Sequence, residues 1–144
     1  MRLEDKKQAD FVLWFGQTYP QFRQMLISIN NNSINQKTAM YNRAMGLSKS
    51  APDLLLLLNG IVLGIELKVK ESKHKKIHII SQLLFGKQMI KHGFYYIMTY
   101  NTQFLKEIIE KILNNSFNSY ELNKKLEKDI NFYSQIKTKT VKIY

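Results

Sequence analysis

Pro52-Asp53-Leu54-Leu55-Leu56-Leu57-Leu58-Asn59-Gly60-Ile61-Val62-Leu63-Gly64-Ile65-Glu66-Leu67-Lys68 is two apolar runs joined by an Asn-Gly pair and bounded by charged residues. Asn59-Gly60 is the preferred pair for a two-residue type I′ turn, because both central positions need positive φ and neither residue is much strained by it. With those two residues as the loop, Leu58 faces Ile61, Leu56 faces Leu63, Leu54 faces Ile65, and Asp53 falls opposite Glu66. Alternation then puts Lys68 on the same side of its strand as Glu66. Directly opposed residues of an antiparallel pair have Cβ atoms about 4.5–5.5 Å apart. Two carboxylates that close repel, so the spacing implies either a raised pKa or a cation between them.

The rest of the hairpin is apolar. One face reads Leu54, Leu56, Leu58, Ile61, Leu63, Ile65, Leu67, Val69, and the other carries Leu55, Leu57, Val62 and Gly64 beside the charged groups. Apolar residues on both faces mean a strand pair covered on both sides, as in an α/β sheet. Taken singly, each charged residue has an ordinary explanation: Asp53 as a turn residue after Pro52, Glu66 and Lys68 as an ion pair at a strand end. Taken together they need another, because unpaired charge among hydrophobic residues is strongly unfavourable.

Pro52-Asp53, the hairpin and Glu66-Leu67-Lys68 resemble the PD-(D/E)XK nuclease superfamily, and the surrounding sequence is similar to its VRR-NUC branch. That branch opens with a helix bearing a Glu and, one turn later, a Gln, as at Glu4 and Gln8. Gly46 matches its glycine ahead of the Pro-Asp pair; Ser81, Gln82 and Gly93 match the helix after the E-x-K strand, and residues 94–100 match the strand that follows. The likeness spans about residues 3–100 and departs at Ser50-Ala51, where the family often has a second glycine.

The resemblance implies an α/β, restriction-endonuclease-like core: a mixed central β-sheet with flanking helices in a single domain, 1–144, with a helical extension over about 101–144. It also implies a divalent metal, Mg²⁺ or Mn²⁺, held by Asp53, Glu66 and the backbone carbonyl of Leu67, with Glu4 binding through water or completing a second site. Lys68 would orient or help deprotonate the attacking water, or stabilise the transition state, and Gln82 would position water or phosphate. The plainer readings are a surface polar residue for Gln82 and a first-turn acid favoured by the helix dipole for Glu4.

Composition agrees. At 144 residues the chain is long enough for one domain with a real core. It has no cysteine, which excludes disulfides and thiolate metal sites and leaves a hard cation with oxygen ligands. Twenty-two Lys and Arg against eleven Asp and Glu give a formal charge of +11, which points to a polyanion, although a lysine-rich composition alone would do the same. Candidate nucleic-acid contacts are Lys70, Lys73, Lys75 and Lys76 in and beside a basic loop at 71–76, with Arg43 and Lys49 ahead of Pro52. That loop either grips the backbone near the scissile phosphate or is a solvated connection. The N-terminus lacks a signal-peptide apolar region and no apolar run approaches a bilayer span, so the expected compartment is the reducing cytoplasm. So compact an enzyme would fit a viral or mobile-element origin.

Along the chain the pattern predicts a helix over 3–18 with Phe11, Val12, Trp14, Phe15 and Tyr19 on or near its apolar stripe, ended by Pro20. It predicts a strand over 22–29, a polar loop at Asn30-Asn31-Asn32 and a short helix over 35–45 closed by Gly46. After the hairpin come a helix over 77–92 with Ile79, Ile80, Leu83, Leu84 and Ile90 inward, and a strand over 94–99. A helix capped by Asn101 or Thr102 and one capped by Ser119 follow, and the alternating tail 138–144 either adds an edge strand or dangles. His74 reads as a solvated loop residue, and none of His74, His78 and His92 makes a metal motif.

The expected activity is metal-dependent DNA endonuclease action on branched or structured DNA, such as a four-way junction or flap. Two sites about a twofold axis would suit a symmetric substrate, so a homodimer through Phe94-Tyr95-Tyr96 or the C-terminal helix is an expectation, beside plain internal packing of both. The alternative is a nucleic-acid-binding or interaction module that keeps the fold without turnover. A small basic accessory protein would explain the charge but not the opposed carboxylates.

Overall fold

The computed structural model describes residues 1–29, 36–46 and 48–144. The loop expected at Asn30-Asn31-Asn32 and the first residue of the 35–45 helix lie outside the described residues. Helix α1, Leu3–Thr18, leads into a short 3-10 turn, Pro20–Met25, and then strand β1, Leu26–Ser28. Helix α2, Gln36–Ala44, precedes the hairpin of β2, Leu54–Leu58, and β3, Ile61–Leu67. Strand β4, Lys73–Lys75, runs directly into helix α3, Lys76–Lys91, and is followed by β5, Tyr95–Thr99, α4, Thr102–Leu113, α5, Tyr120–Gln135, and β6, Thr140–Lys142.

Four strands form a mixed sheet in the order β1-β2-β3-β5, with β3 and β5 parallel and the other neighbours antiparallel. The turn is as the sequence predicts: Asn59 and Gly60 have φ of 50° and 75°, and the register runs from Leu58↔Ile61 to Leu54↔Ile65. The Asn59 side chain also donates to the carbonyl of Ile112 at 3.0 Å, which ties the turn to the end of α4.

Both sheet faces are covered. Leu54, Leu56, Leu58, Leu63, Ile65 and Leu67 pack with Phe11 and Phe15 of α1 and with Leu105, Ile108, Ile109 and Ile112 of α4. On the other side Tyr96 and Met98 pack with Ile79 and Leu83 of α3, Leu126 and Tyr133 of α5, and Val141 and Ile143. Within the predicted stripes, Val12 and Leu84 are exposed and Trp14 is half-buried, its ring 4.6 Å from the Lys106 ammonium. Of the segment Phe94-Tyr95-Tyr96, Tyr96 is buried and Tyr95 packs edge-on against Phe117 at 5.1 Å, so internal packing accounts for both.

Three sequence expectations are corrected. Only residues 26–28 of the 22–29 segment are strand, because Pro20 starts a 3-10 turn whose Phe22 packs on the core from outside the sheet. The basic segment 71–76 is not a free loop: β4 pairs antiparallel with β6, Lys73↔Lys142, His74↔Val141 and Lys75↔Thr140, so the tail is an edge strand of a second, two-stranded sheet. The cap of α5 also differs: Asn118 Oδ1 accepts from Tyr120 N at 2.8 Å, and Ser119 makes no side-chain cap bond. No helix is long and apolar enough to cross a membrane, among the described residues.

Candidate active site

Carried one step past Leu54↔Ile65, the ladder sets Asp53 opposite Glu66, with the Asp53 carbonyl accepting from Ile29 N at 2.8 Å on its other edge. The two carboxyl groups lie within hydrogen-bonding reach of each other. Glu66 is 1% exposed and Lys68 4%, two charged side chains of β3 and its extension sunk into the sheet. Lys68 Nζ stands 3.2 Å from Glu66 Oε1, and Gln82 Nε2 of α3 donates to the same oxygen at 3.0 Å. Glu66 Oε2 and Gln82 Oε1 are buried without hydrogen-bond partners. The structure therefore brings together Asp53, Glu66, Lys68 and Gln82.

The backbone explains a further feature. One more step of the register places Pro52 opposite Leu67. Lys68 N donates to Thr99 O at 2.9 Å, toward β5, so across the same trans peptide the Leu67 carbonyl points the other way, toward β2. A proline there has no N–H to donate. The carbonyl expected to serve as a ligand thus points toward β2 without a ladder donor opposite it.

Electrostatics follow from this burial. Burial pushes the Glu66 carboxyl up to about 8; Lys68 opposes the rise and Asp53 adds to it. Burial also raises Asp53, while Glu66 and Lys68 pull it down and Glu4 pushes it up. The Lys68 ammonium at 3.2 Å thus does not offset the burial of Glu66, whose carboxyl is held well above the ordinary carboxylate range. One buried and one half-buried carboxyl group, one oxygen without a donor and an all-oxygen donor set are chemistry that fits a hard divalent cation.

Glu4 lies in the same field but at its edge. Its Oε1 is 3.0 Å from His74 Nε2, and that nitrogen is also 2.8 Å from Ser72 Oγ. Burial would raise Glu4, yet His74 and Lys68 outweigh it and hold the carboxyl below its ordinary range. Among the described residues no three His, Cys, Asp or Glu side chains form a group that could hold a metal, so Glu4 does not join Asp53 and Glu66 in one cluster. His74, expected as a solvated loop residue, is instead half-buried in β4 and turned toward Glu4. Its inward position follows from the Lys73-His74-Lys75 alternation, a signal visible only once 73–75 is known to be a strand.

Of the candidate nucleic-acid contacts, Arg43, Lys49, Lys70, Lys73 and Lys75 are exposed, and Lys70 lies 5.7 Å from the Tyr100 ring centroid. Lys76 is half-buried, its ammonium donating to the carbonyl of Ile136. Ser81 does not turn toward the site: its hydroxyl donates to Ile77 O at 2.8 Å within its own helix.

The mixed sheet flanked by helices, with this hairpin at its centre, has the fold of a VRR-NUC-like domain. A solved structure described as a VRR_NUC domain protein superposes with a TM-score of 0.61 at 16% identity, over 79% of this chain and 90% of that one. At that identity the likeness establishes the fold. No protein-family model and no curated protein matches the sequence.

Proposed function

We propose that this chain is a divalent-metal-dependent endonuclease that hydrolyses phosphodiester bonds in branched or structured DNA. The observation that carries the reading is the convergence of Asp53 and Glu66, with Lys68 and Gln82 on the Glu66 carboxylate. Asp53, Glu66 and the Leu67 carbonyl would hold Mg²⁺ or Mn²⁺, with Glu4 reaching it through water. Bound there, the ion would supply Lewis acidity toward a phosphate oxygen and a lowered pKa for the attacking water. Gln82 fixes the orientation of Glu66 through its amide N–H and leaves its own carbonyl oxygen to position water. Lys68 supplies a buried cation beside the reacting phosphate, placed to orient the water or to offset charge as it develops. The +11 charge supports a polyanionic substrate, and exposed lysines on more than one surface suit DNA with more than one arm.

The test is incubation with labelled four-way junction, flap, single-stranded and linear duplex DNA in Mg²⁺, Mn²⁺ or EDTA. Wild type is expected to cut a branched substrate best and only with metal, and Asp53→Ala and Lys68→Ala to lose roughly 10²–10⁴-fold. Cleavage that survives EDTA overturns the metal mechanism. Wild type and variants that bind DNA but are equally inert leave the non-cutting module as the reading.

A further inference from the structure

The β4/β6 ribbon has two unlike faces. His74 and Val141 turn inward, His74 toward Glu4 and Val141 into the core. Lys73, Lys75, Thr140 and Lys142 are exposed on the outer face, and the register sets Lys73 directly opposite Lys142. Like charges at directly opposed positions destabilise a strand pair. Lys137 and Lys139, also exposed, enter the ribbon beside them, held there by the Lys76 N–H on the Lys139 carbonyl at 2.8 Å. Among the described residues none of these five lysines forms an ion pair. Beside the ribbon a groove of about 660 Å³ is lined by Lys75, Lys76, Ile77, Ile80 and residues 137–140.

We propose that this outer face, formed by Lys73, Lys75 and Lys142 with the exposed Lys137 and Lys139 of the segment leading into β6 beside it, is a second docking surface for the phosphate backbone of duplex DNA. It rests on the nucleic-acid reading above and extends it. A ribbon that concentrates unpaired like charge is relieved by a polyanion laid across it. Alternate residues of a strand stand about 6.6–6.8 Å apart, close to the spacing of successive phosphates along one DNA strand. Because His74 faces Glu4 while its neighbours face outward, DNA held here is not the segment in the carboxylate pocket. It is an arm held beside that segment, which gives the C-terminal strand a role in substrate binding.

The experiment measures anisotropy of a labelled blunt duplex in EDTA, over roughly 50 to 200 mM salt. It compares wild type, the variant with Lys73, Lys75, Lys139 and Lys142 all changed to Gln, and a charge-matched control with Lys91, Lys111, Lys124 and Lys128 changed to Gln. The slope of log affinity against log salt falls by about 0.9 for each phosphate that is no longer neutralised, so the ribbon variant is expected to lose about 2–4 units of slope and the control far less. The same four positions changed to Arg keep the wild-type slope, which separates removal of charge from damage to the fold. Without DNA, the Gln ribbon variant melts about 1–4 °C higher than wild type, as the Lys73–Lys142 repulsion is gone. Equal effects in ribbon and control variants, an unchanged slope in the ribbon variant, or no duplex binding by wild type overturns the proposal. Ribbon-dependent binding without metal-dependent cutting sinks the catalytic reading and leaves this one standing.

Discussion

Pro52 acts on the site through what it lacks. In a hairpin closed by a two-residue turn, Leu58↔Ile61 is a hydrogen-bonded pair, and every second pair after it is too. That count makes position 52 the donor to the Leu67 carbonyl, and proline cancels the bond. Pro52→Ala restores the N–H, which is then claimed by the carbonyl proposed as a metal ligand. Stability should change by no more than about 1 kcal/mol, since a new backbone hydrogen bond offsets the lost rigidity of proline in the unfolded chain. Mn²⁺ affinity, read by calorimetry, should fall roughly 10-fold or more, by the scale of other changes that disturb a metal's supporting groups. Unchanged affinity with an intact fold would remove Leu67 from the ligand set.

At the scale of elements, the site depends on how α3 is seated, because Gln82 reaches Glu66 from that helix. Its close approach to the sheet is made at Gly86, where a Cβ would meet Tyr96 Cδ1 at 2.2 Å. Tyr96 is 1% exposed and cannot swing aside. Gly86→Ala must therefore lift α3, at a cost of about 1–3 kcal/mol or more for overpacking, and urea denaturation should show that loss. Nuclease activity in conditions where the variant is folded should fall with it, as Gln82 loses its 3.0 Å bond to Glu66. This dependence also shows what was legible in the sequence. The Asn59-Gly60 count fixed a register from adjacent residues, and the structure reproduces it pair by pair. The β4/β6 ribbon was not legible, because three residues reading Lys-His-Lys have no apolar alternation and their partners lie far along the chain. The segment after Pro20 was misread for the converse reason: Phe22, Met25 and Leu26 are apolar enough for a strand, but only Leu26 enters the sheet. Local turn chemistry is written in neighbouring residues, whereas an edge strand is decided by a distant one.

For the whole molecule, the pairing of buried Glu66 with half-buried Asp53 links folding to pH and to cations. Burial pushes the Glu66 carboxyl from its ordinary value of 4.5 up to about 8 in the folded chain. Between those values the folded state binds the extra proton, so stability falls as pH rises. The stabilisation is fully present below about pH 4.5, is lost progressively, and changes no further from this group above about pH 8. Asp53, also raised, acts in the same direction, while Glu4, lowered, contributes stability above its unfolded value that is lost as the medium becomes acid. A chain of charge +11 repels itself less as pH climbs toward its pI of about 9.8, so the raw melting curve mixes opposing trends. Glu66→Gln isolates the carboxyl: between about pH 5 and pH 8.5 wild type should lose thermal stability relative to this variant. Protons and a divalent cation compete for the same oxygens, so Mg²⁺ or Mn²⁺ should raise the wild-type melting temperature little at the acid end and most near the alkaline end. The Glu66→Gln protein should show a much smaller metal response at every pH. A wild-type metal shift of equal size across the range, or one retained in full by Glu66→Gln, would place the cation elsewhere than between Asp53 and Glu66.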